Sequence, residues 1–275
     1  MPSVPATTRA QYTSIARISG PLIINYLAVA GMNLADVAMS GRLGADALAA
    51  VAVGSNTWML AFSACLGLLM ALSPIISRLH GAGETHKIGR YARHGMYLGF
   101  TLGVLILVFV RPQAQALLTA IGIDPEFRPL AVEYVRALLF GAPGILIFIA
   151  LRFTTEGVGY TRPVMFTSVF SLTCNVLLNY ALMFGNFGAP ALGVEGCAYA
   201  SAITMWLVAG ALGLYMFVSP KLKPLKVFTR IGQFRPKLFR EIISLGIPIS
   251  ITITAEVGLF ALVSVIIGTR GVDIT

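Results

Sequence analysis

The chain has 275 residues, of which 57% are hydrophobic and only 11% charged, and its mean hydropathy is +0.83. A soluble domain carries about 25% charged residues, so this composition excludes a water-covered globule and specifies an all-α polytopic membrane protein. The net charge of +9 is no nucleic-acid footprint, because the Lys and Arg residues lie between apolar stretches, where bilayer orientation places them.

A helix needs about 20 apolar residues to cross the hydrocarbon, and seven stretches qualify. The first fourteen residues are polar, with no cleavable apolar core, so span 1 reads as an uncleaved membrane helix near 16–40. It contains Pro21, Met32, Asn33 and Asp36. GRLGAD leads into span 2, near 46–78, where Ala49, Ala50, Ala52, Gly54 and Ser55 predict close helix contact. HGAGETHK separates it from span 3, near 88–110; His80, His86 and His94 flank this segment and read as a solvated loop, their spacing being a poor zinc signal. The turn signals RPQ and GIDPEF precede span 4, near 130–152. GVGYTRP opens span 5, near 162–184, whose CNVLLNYALMFG places Asn175 and Asn179 four apart on one face. GNFGAPALG leads to span 6, near 194–218, with Ser201. The basic link SPKLKPLKVFTRIGQFRPK then reaches span 7, near 240–268, with Pro248 and Glu256. Cys65, Cys174 and Cys197 all fall inside apolar spans and read as small buried residues.

Span 7 repeats span 1. One constant offset aligns Pro21 with Pro248, Gly31 with Gly258, Gly41 with Gly268, Gly44 with Gly271 and Asp46 with Asp273. Internal repeats with polar groups at membrane depth mark secondary transporters. The two copies are six spans apart and so run in the same direction, which implies a pseudo-two-fold axis along the membrane normal. The expected organisation is an N-lobe of six transmembrane helices (1–219), a basic linker (220–239) and the first helix of a C-lobe (240–275), part of a protein of about twelve helices; a complete seven-helix protein is the alternative. With the N-terminus in the cytoplasm, fifteen Lys and Arg residues fall inside and five outside, which fixes the expected orientation.

A carboxylate at a helix centre costs about 2.5–3.5 kcal/mol on insertion scales, and such groups usually face the bundle interior along an ion or substrate path. Asp36 and Glu256 are the two candidates. Glu256 maps onto Val29, seven residues before Asp36, so both acids share one helical face at different depths and are expected to line one cavity. The alternative for each is a protonated carboxyl bonded to a neighbouring helix. Asn175 and Asn179 either bond across helices or supply carbonyl oxygens that help a carboxylate hold a hard cation; Ser201 adds a hydroxyl. Pro21 and Pro248 each remove a backbone bond and favour matching kinks. Met32, Met39, Met59, Met70 and Phe62 read as core or lipid contacts, or as a forgiving cargo surface.

At these residues the chain resembles the multidrug and toxic compound extrusion (MATE) family, NorM branch. The resemblance rests on LADVAMSGRLGADALAAVAVGSNTW, GLLMALSPIISRLHGAGE, LRFTTEGVGYTRPVMF, NVLLNYALMFGNFGAPALGVEGCAYASAIT and GIPISITITAEVGLFA, which span most of the sequence. It implies a cation-coupled antiporter, driven by H⁺ or Na⁺, that expels lipophilic and cationic drug-like compounds from a bacterial plasma membrane, acting as a monomer with no cofactor and no enzymatic activity. It implies that Asp36, Asn175 and Asn179 form an N-lobe cation or proton site, with Na⁺ the one metal in view, and that Glu256 is the acid of the second lobe. Ser201 stands where some members carry threonine. Met32 and Asn33 are candidates for the cargo cavity. Two other functions compete. A flippase for a lipid-linked precursor needs several cations in its cavity, where this chain offers acids. A seven-helix receptor usually places its N-terminus outside, against the charge count.

Overall fold

The computed structural model describes residues 8–229 and 234–269, with side chains for 19–229 and 234–259. The polar leader (1–7) and Gly271 and Asp273 of the second repeat copy lie outside the described residues. Helices make up the fold, with no strand among the described residues: α1 (Thr8–Gly41), α2 (Ala45–Met70), α3 (Leu72–Gly81), α4 (Thr85–Leu105), α5 (Arg111–Ala120), α6 (Arg128–Leu138), α7 (Ala142–Gly157), α8 (Arg162–Phe184), α9 (Gly193–Val218) and α10 (Pro236–Thr269). They form seven helical spans long and apolar enough to cross a bilayer, from Ser19–Gly41 to Pro236–Leu259.

Prolines set several helix breaks inside those spans. A proline at position i clashes with the carbonyl of i−4 and cannot donate to it. Pro74 does this to Met70, where α2 ends, and α3 restarts after the single residue Ala71. Pro143 does it to Leu139, where a 3₁₀ turn (Leu139–Gly141) joins α6 to α7. Pro112 does it to Val108, inside a π turn (Ile106–Val110). The turn expected at RPQ is therefore absent: the wider π turn absorbs the proline, and span 3 runs on to Ala120. By contrast α1 continues through Pro21, and α10 through Pro248, without a break.

Spans 1, 5, 6 and 4 follow one another around the bundle: α1 packs on α8, α8 on α9, and α9 on α6 and α7. The α4 helix packs on α7, and α2 lies against both α6 and α10. Small residues permit the closest approaches. A Cβ on Gly67 of α2 would lie 2.3 Å from Ser250 Cα of α10, and one on Gly246 would lie 2.5 Å from the Leu68 carbonyl oxygen. Gly54 makes room for the Tyr134 ring and Ala50 is fully buried, whereas Ala52 of the same small-residue stretch is exposed. The link after α9 lies against the bundle: Leu222, Leu225 and Val227 are buried in the main apolar core while Lys221, Lys223 and Lys226 face outward.

Candidate functional site

Asp36 lies in the last turn and a half of α1, on the side that faces α8. The α8 helix presents Asn175 and Asn179 one turn apart, both fully buried. It stops just beyond them because Gly185, at φ +74°, takes up the left-handed conformation that an L side chain resists and returns its N–H to Ala181. The chain then doubles back, with Leu192 donating to the Leu182 carbonyl (2.8 Å), and Gly196 brings α9 against that same carbonyl. This close approach sets Cys197 and Ser201 of α9 beside the two asparagines.

The polar groups form one chain across three spans. Asn179 Nδ2 donates to Asp36 Oδ1 (2.5 Å) and also to Asn175 Oδ1 (3.2 Å); Asn175 Nδ2 donates to Ser201 Oγ (3.2 Å). Both of the acceptors that Asn179 engages therefore lie on its nitrogen side. Its Oδ1 is buried with no hydrogen-bond partner among the described residues. A buried carbonyl left unpaired costs about 1–3 kcal/mol, and here it belongs to the same amide that donates to the half-buried Asp36 carboxylate. Asp36 belongs to none of the ion pairs found among the described residues. Ser40 Oγ returns to the Asp36 backbone carbonyl (2.6 Å) and steadies the helix turn that carries the acid.

The sequence placed Asp36, Asn175, Asn179 and Ser201 as candidates, and the fold brings the four together. The sequence makes Cys197 a small buried residue, and the structure gives it polar neighbours as well. It is fully buried between the Asp36 carboxyl and Ser40, within polar reach of both. Its spacing of four from Ser201 was the available signal, because it puts both side chains on one face. Tyr134 of α6, hydrogen-bonded to Ser55 (3.1 Å), stands in electrostatic range of the same carboxylate. Glu256 is exposed on α10 and makes no hydrogen bond or ion pair among the described residues, so the structure does not join it to the Asp36 cluster. Met32 accepts a bond from Ser171 Oγ through its sulfur (3.4 Å), and Asn33 is exposed on another side of α1. One turn beyond Pro21, Asn25 is buried against α8, where its Oδ1 accepts from Ser168 and its Nδ2 has no partner among the described residues. His94 lies on no loop: it is buried within α4. The charged residues around it lower the local hydropathy and disguise a packed helix face.

The comparisons with known proteins agree with this architecture. The MatE family model matches residues 21–181. The chain is 34% identical over 257 residues to the multidrug resistance protein NorM of Aliivibrio fischeri and 33% identical over 259 residues to that of Vibrio cholerae; each match covers 94% of this chain and 56% of the relative. Among solved structures, it superposes with a TM-score of 0.81 at 27% identity on an outward-facing multidrug resistance transporter of the MATE family, covering 92% of this chain and 55% of that one. A transporter from Pyrococcus furiosus gives 0.80 at 27% identity, with the same coverage. The chain thus spans about half the length of the curated relatives it matches. With a family model matching more than half of its length, the chain belongs to the MATE family, whose members are membrane transporters and not enzymes.

Proposed function

We propose that the protein is a cation-coupled antiporter that exports lipophilic, cationic drug-like compounds by alternating access, in a bacterial inner membrane with the N-terminus in the cytoplasm. One observation carries this reading above the rest: a half-buried carboxylate on α1, with no cationic partner among the described residues, is tied by a hydrogen bond to Asn179, whose buried carbonyl oxygen has no donor among them. A proton on Asp36 or a Na⁺ beside it meets that oxygen's need. A positively charged cargo competes for the same negative charge. The absence of a Lys or Arg ion pair at Asp36 among the described residues disfavours a flippase for pyrophosphate-linked lipids, which needs cations at that place.

The cycle then has two occupants in exchange. The cation neutralises Asp36 and alters the pull between α1 and α8; release of the cation restores the carboxylate for cargo. Pro21, which leaves α1 one backbone bond short, is the place where that helix bends most readily. Glu256 and Pro248 play the matching part in the second lobe. A cation moving down about 100 mV contributes roughly 2.3 kcal/mol, and a tenfold gradient adds about 1.4 kcal/mol. Together these sustain a gradient of several hundredfold, on the order of 10²–10³, for neutral cargo; one-for-one exchange with a monovalent cation cancels the electrical part and leaves about tenfold.

The test uses the protein reconstituted in vesicles, a fluorescent lipophilic cation as cargo, and separately imposed proton and sodium gradients. Efflux follows one of the two gradients, and Asp36→Asn abolishes that dependence. Coupling that is unchanged in Asp36→Asn removes the site from the mechanism.

A further inference from the structure

We infer that His94 forms a proton-sensitive latch that holds the start of α10 against the six-span bundle. The imidazole is 1% exposed, and both of its nitrogens are engaged. Nδ1 lies 2.7 Å from the Arg90 carbonyl oxygen, and Nε2 lies 2.8 Å from the Arg235 backbone nitrogen. A carbonyl can only accept and a backbone N–H can only donate. The ring is therefore neutral, with its proton on Nδ1 and its lone pair on Nε2 receiving the Arg235 N–H. Arg235 immediately precedes Pro236, and its carbonyl accepts the first bonds of α10, from Leu238 and Phe239. His94 thus seats the residue from which the seventh span begins.

A second proton on the ring destroys this arrangement for two reasons. It places an N–H on Nε2, pointing at another N–H across 2.8 Å. It also sets a positive charge at a helix N-terminus, where the aligned peptide dipoles are already positive. The surroundings add to the second effect. The charged groups facing the ring are Arg93, on α4, and Arg235, on the link. The carboxylate of Glu241 on α10 is taken up by Tyr91 (2.5 Å) and Arg78 (2.9 Å). From α2, α3, α7 and the 3₁₀ turn Lys223–Leu225, which also pack on α4, no titratable group faces the ring among the described residues. Phe234 stacks on the imidazole at 5.7 Å and Tyr97 meets it edge-on at 5.9 Å, so little water reaches it.

The fastening one residue earlier behaves differently. Arg93 Nη1 donates to the carbonyls of Lys226 (2.7 Å) and Val227 (3.0 Å), and a guanidinium keeps its charge at every accessible pH. Among the described residues, α4 side chains therefore bond to the link backbone at two places, a permanent one at Arg93 and a titratable one at His94. The latch is complete while the imidazole is neutral and is lost as pH falls through the ring's titration. Acidification of the phase on that side releases the start of α10 and leaves the earlier part of the link in place. The latch is independent of the cation site.

Hydrogen exchange on the protein in lipid nanodiscs tests this, with rates corrected for intrinsic chemistry. Protection of the Arg235 amide and of the peptide through Glu241 falls at least about tenfold on acidification through the ring's own titration, while Lys226–Thr229 stays protected. In His94→Gln the side-chain carbonyl still accepts the Arg235 N–H but does not titrate, so protection becomes independent of pH; Asp36→Asn leaves the pH dependence as it was. Nitrogen-15 spectra of the wild-type ring provide a test that does not depend on the variant folding: an Nδ1–H tautomer at high pH, titrating with the same midpoint as the Arg235 amide. Flat protection in the wild type, pH dependence retained in His94→Gln, an Nε2–H tautomer, or two separate midpoints would each overturn the latch.

Discussion

Buried amides in hydrocarbon persist when each polar atom finds a partner, and among the described residues the row from Ser201 through Asn175 and Asn179 to Asp36 satisfies this at every position but one. The exception, Asn179 Oδ1, makes Asn179 the residue on which cation binding should depend most after Asp36 itself. Asn179→Leu removes both the donor to the carboxylate and the free carbonyl. A hydrogen bond to a charged group contributes about 1.5–3 kcal/mol, so cation affinity, read by isothermal titration with Na⁺ and by proton uptake, should fall by roughly one to two orders of magnitude. Ser201→Ala acts one bond further away. It leaves the Asn175 amide without an acceptor and should lower thermal stability by about 1–3 kcal/mol while changing affinity much less. Equal losses of affinity in the two variants would show that the row works as a scaffold with no preferred position.

Prolines and glycines, more than apolar periodicity, decide how the helices of this bundle are cut and joined. Span 2 is apolar almost all round, so its sequence shows a membrane-length stretch and hides the break at Ala71; the signal lay in Pro74 and its effect on Met70. RPQ has the composition of a turn, yet a π turn carries the helix through it. Asp36, Asn175 and Asn179 stand out in the sequence because carboxylates and amides are rare at membrane depth, whereas Ser201, ordinary at helix contacts, joins them only through its bond to Asn175. Cys197 and His94 do not stand out, since a thiol passes for an apolar group and a histidine among arginines passes for a loop. Glycine contacts were legible as small residues but not by partner: only the coordinates pair Gly67 with Ser250. There the neighbour is backbone (Ser250 Cα at 2.3 Å and N at 2.8 Å from an added Cβ), which cannot rotate aside. Gly67→Ala should therefore force α2 and α10 apart and destabilise the protein by about 1–3 kcal/mol, measured by thermal unfolding in detergent. Gly210→Ala, on α9 with nothing within 4 Å of its added Cβ, should be neutral or stabilise by up to about 1 kcal/mol through helix propensity. A similar loss in both variants would mean that the close α2–α10 approach contributes nothing to stability.

At the scale of the molecule, charge determines which way the bundle lies in the bilayer. Lys221, Lys223 and Lys226 project from a link whose apolar side is packed into the bundle, and Lys237 and Arg240 extend this basic rim into the first turns of α10. No acidic residue interrupts the sequence from 220 to 240. Translocating such a rim works against the bias that keeps Lys and Arg in the cytoplasm, and because its backbone is fastened by Arg93 the charges stay at one end. The loop that ends span 3, with exposed Glu126, is separated from the link by three spans, an odd number, and so must open to the opposite side. The expectation concerns single cysteines placed at Lys223 and at Glu126, in a background whose native thiols are buried or half-buried. A membrane-impermeant maleimide should reach position 223 only from the cytoplasm and position 126 only from outside. Labelling of both from one face would break the seven-span count. A clean reversal would keep the count but invert the orientation, against the direction of export proposed above.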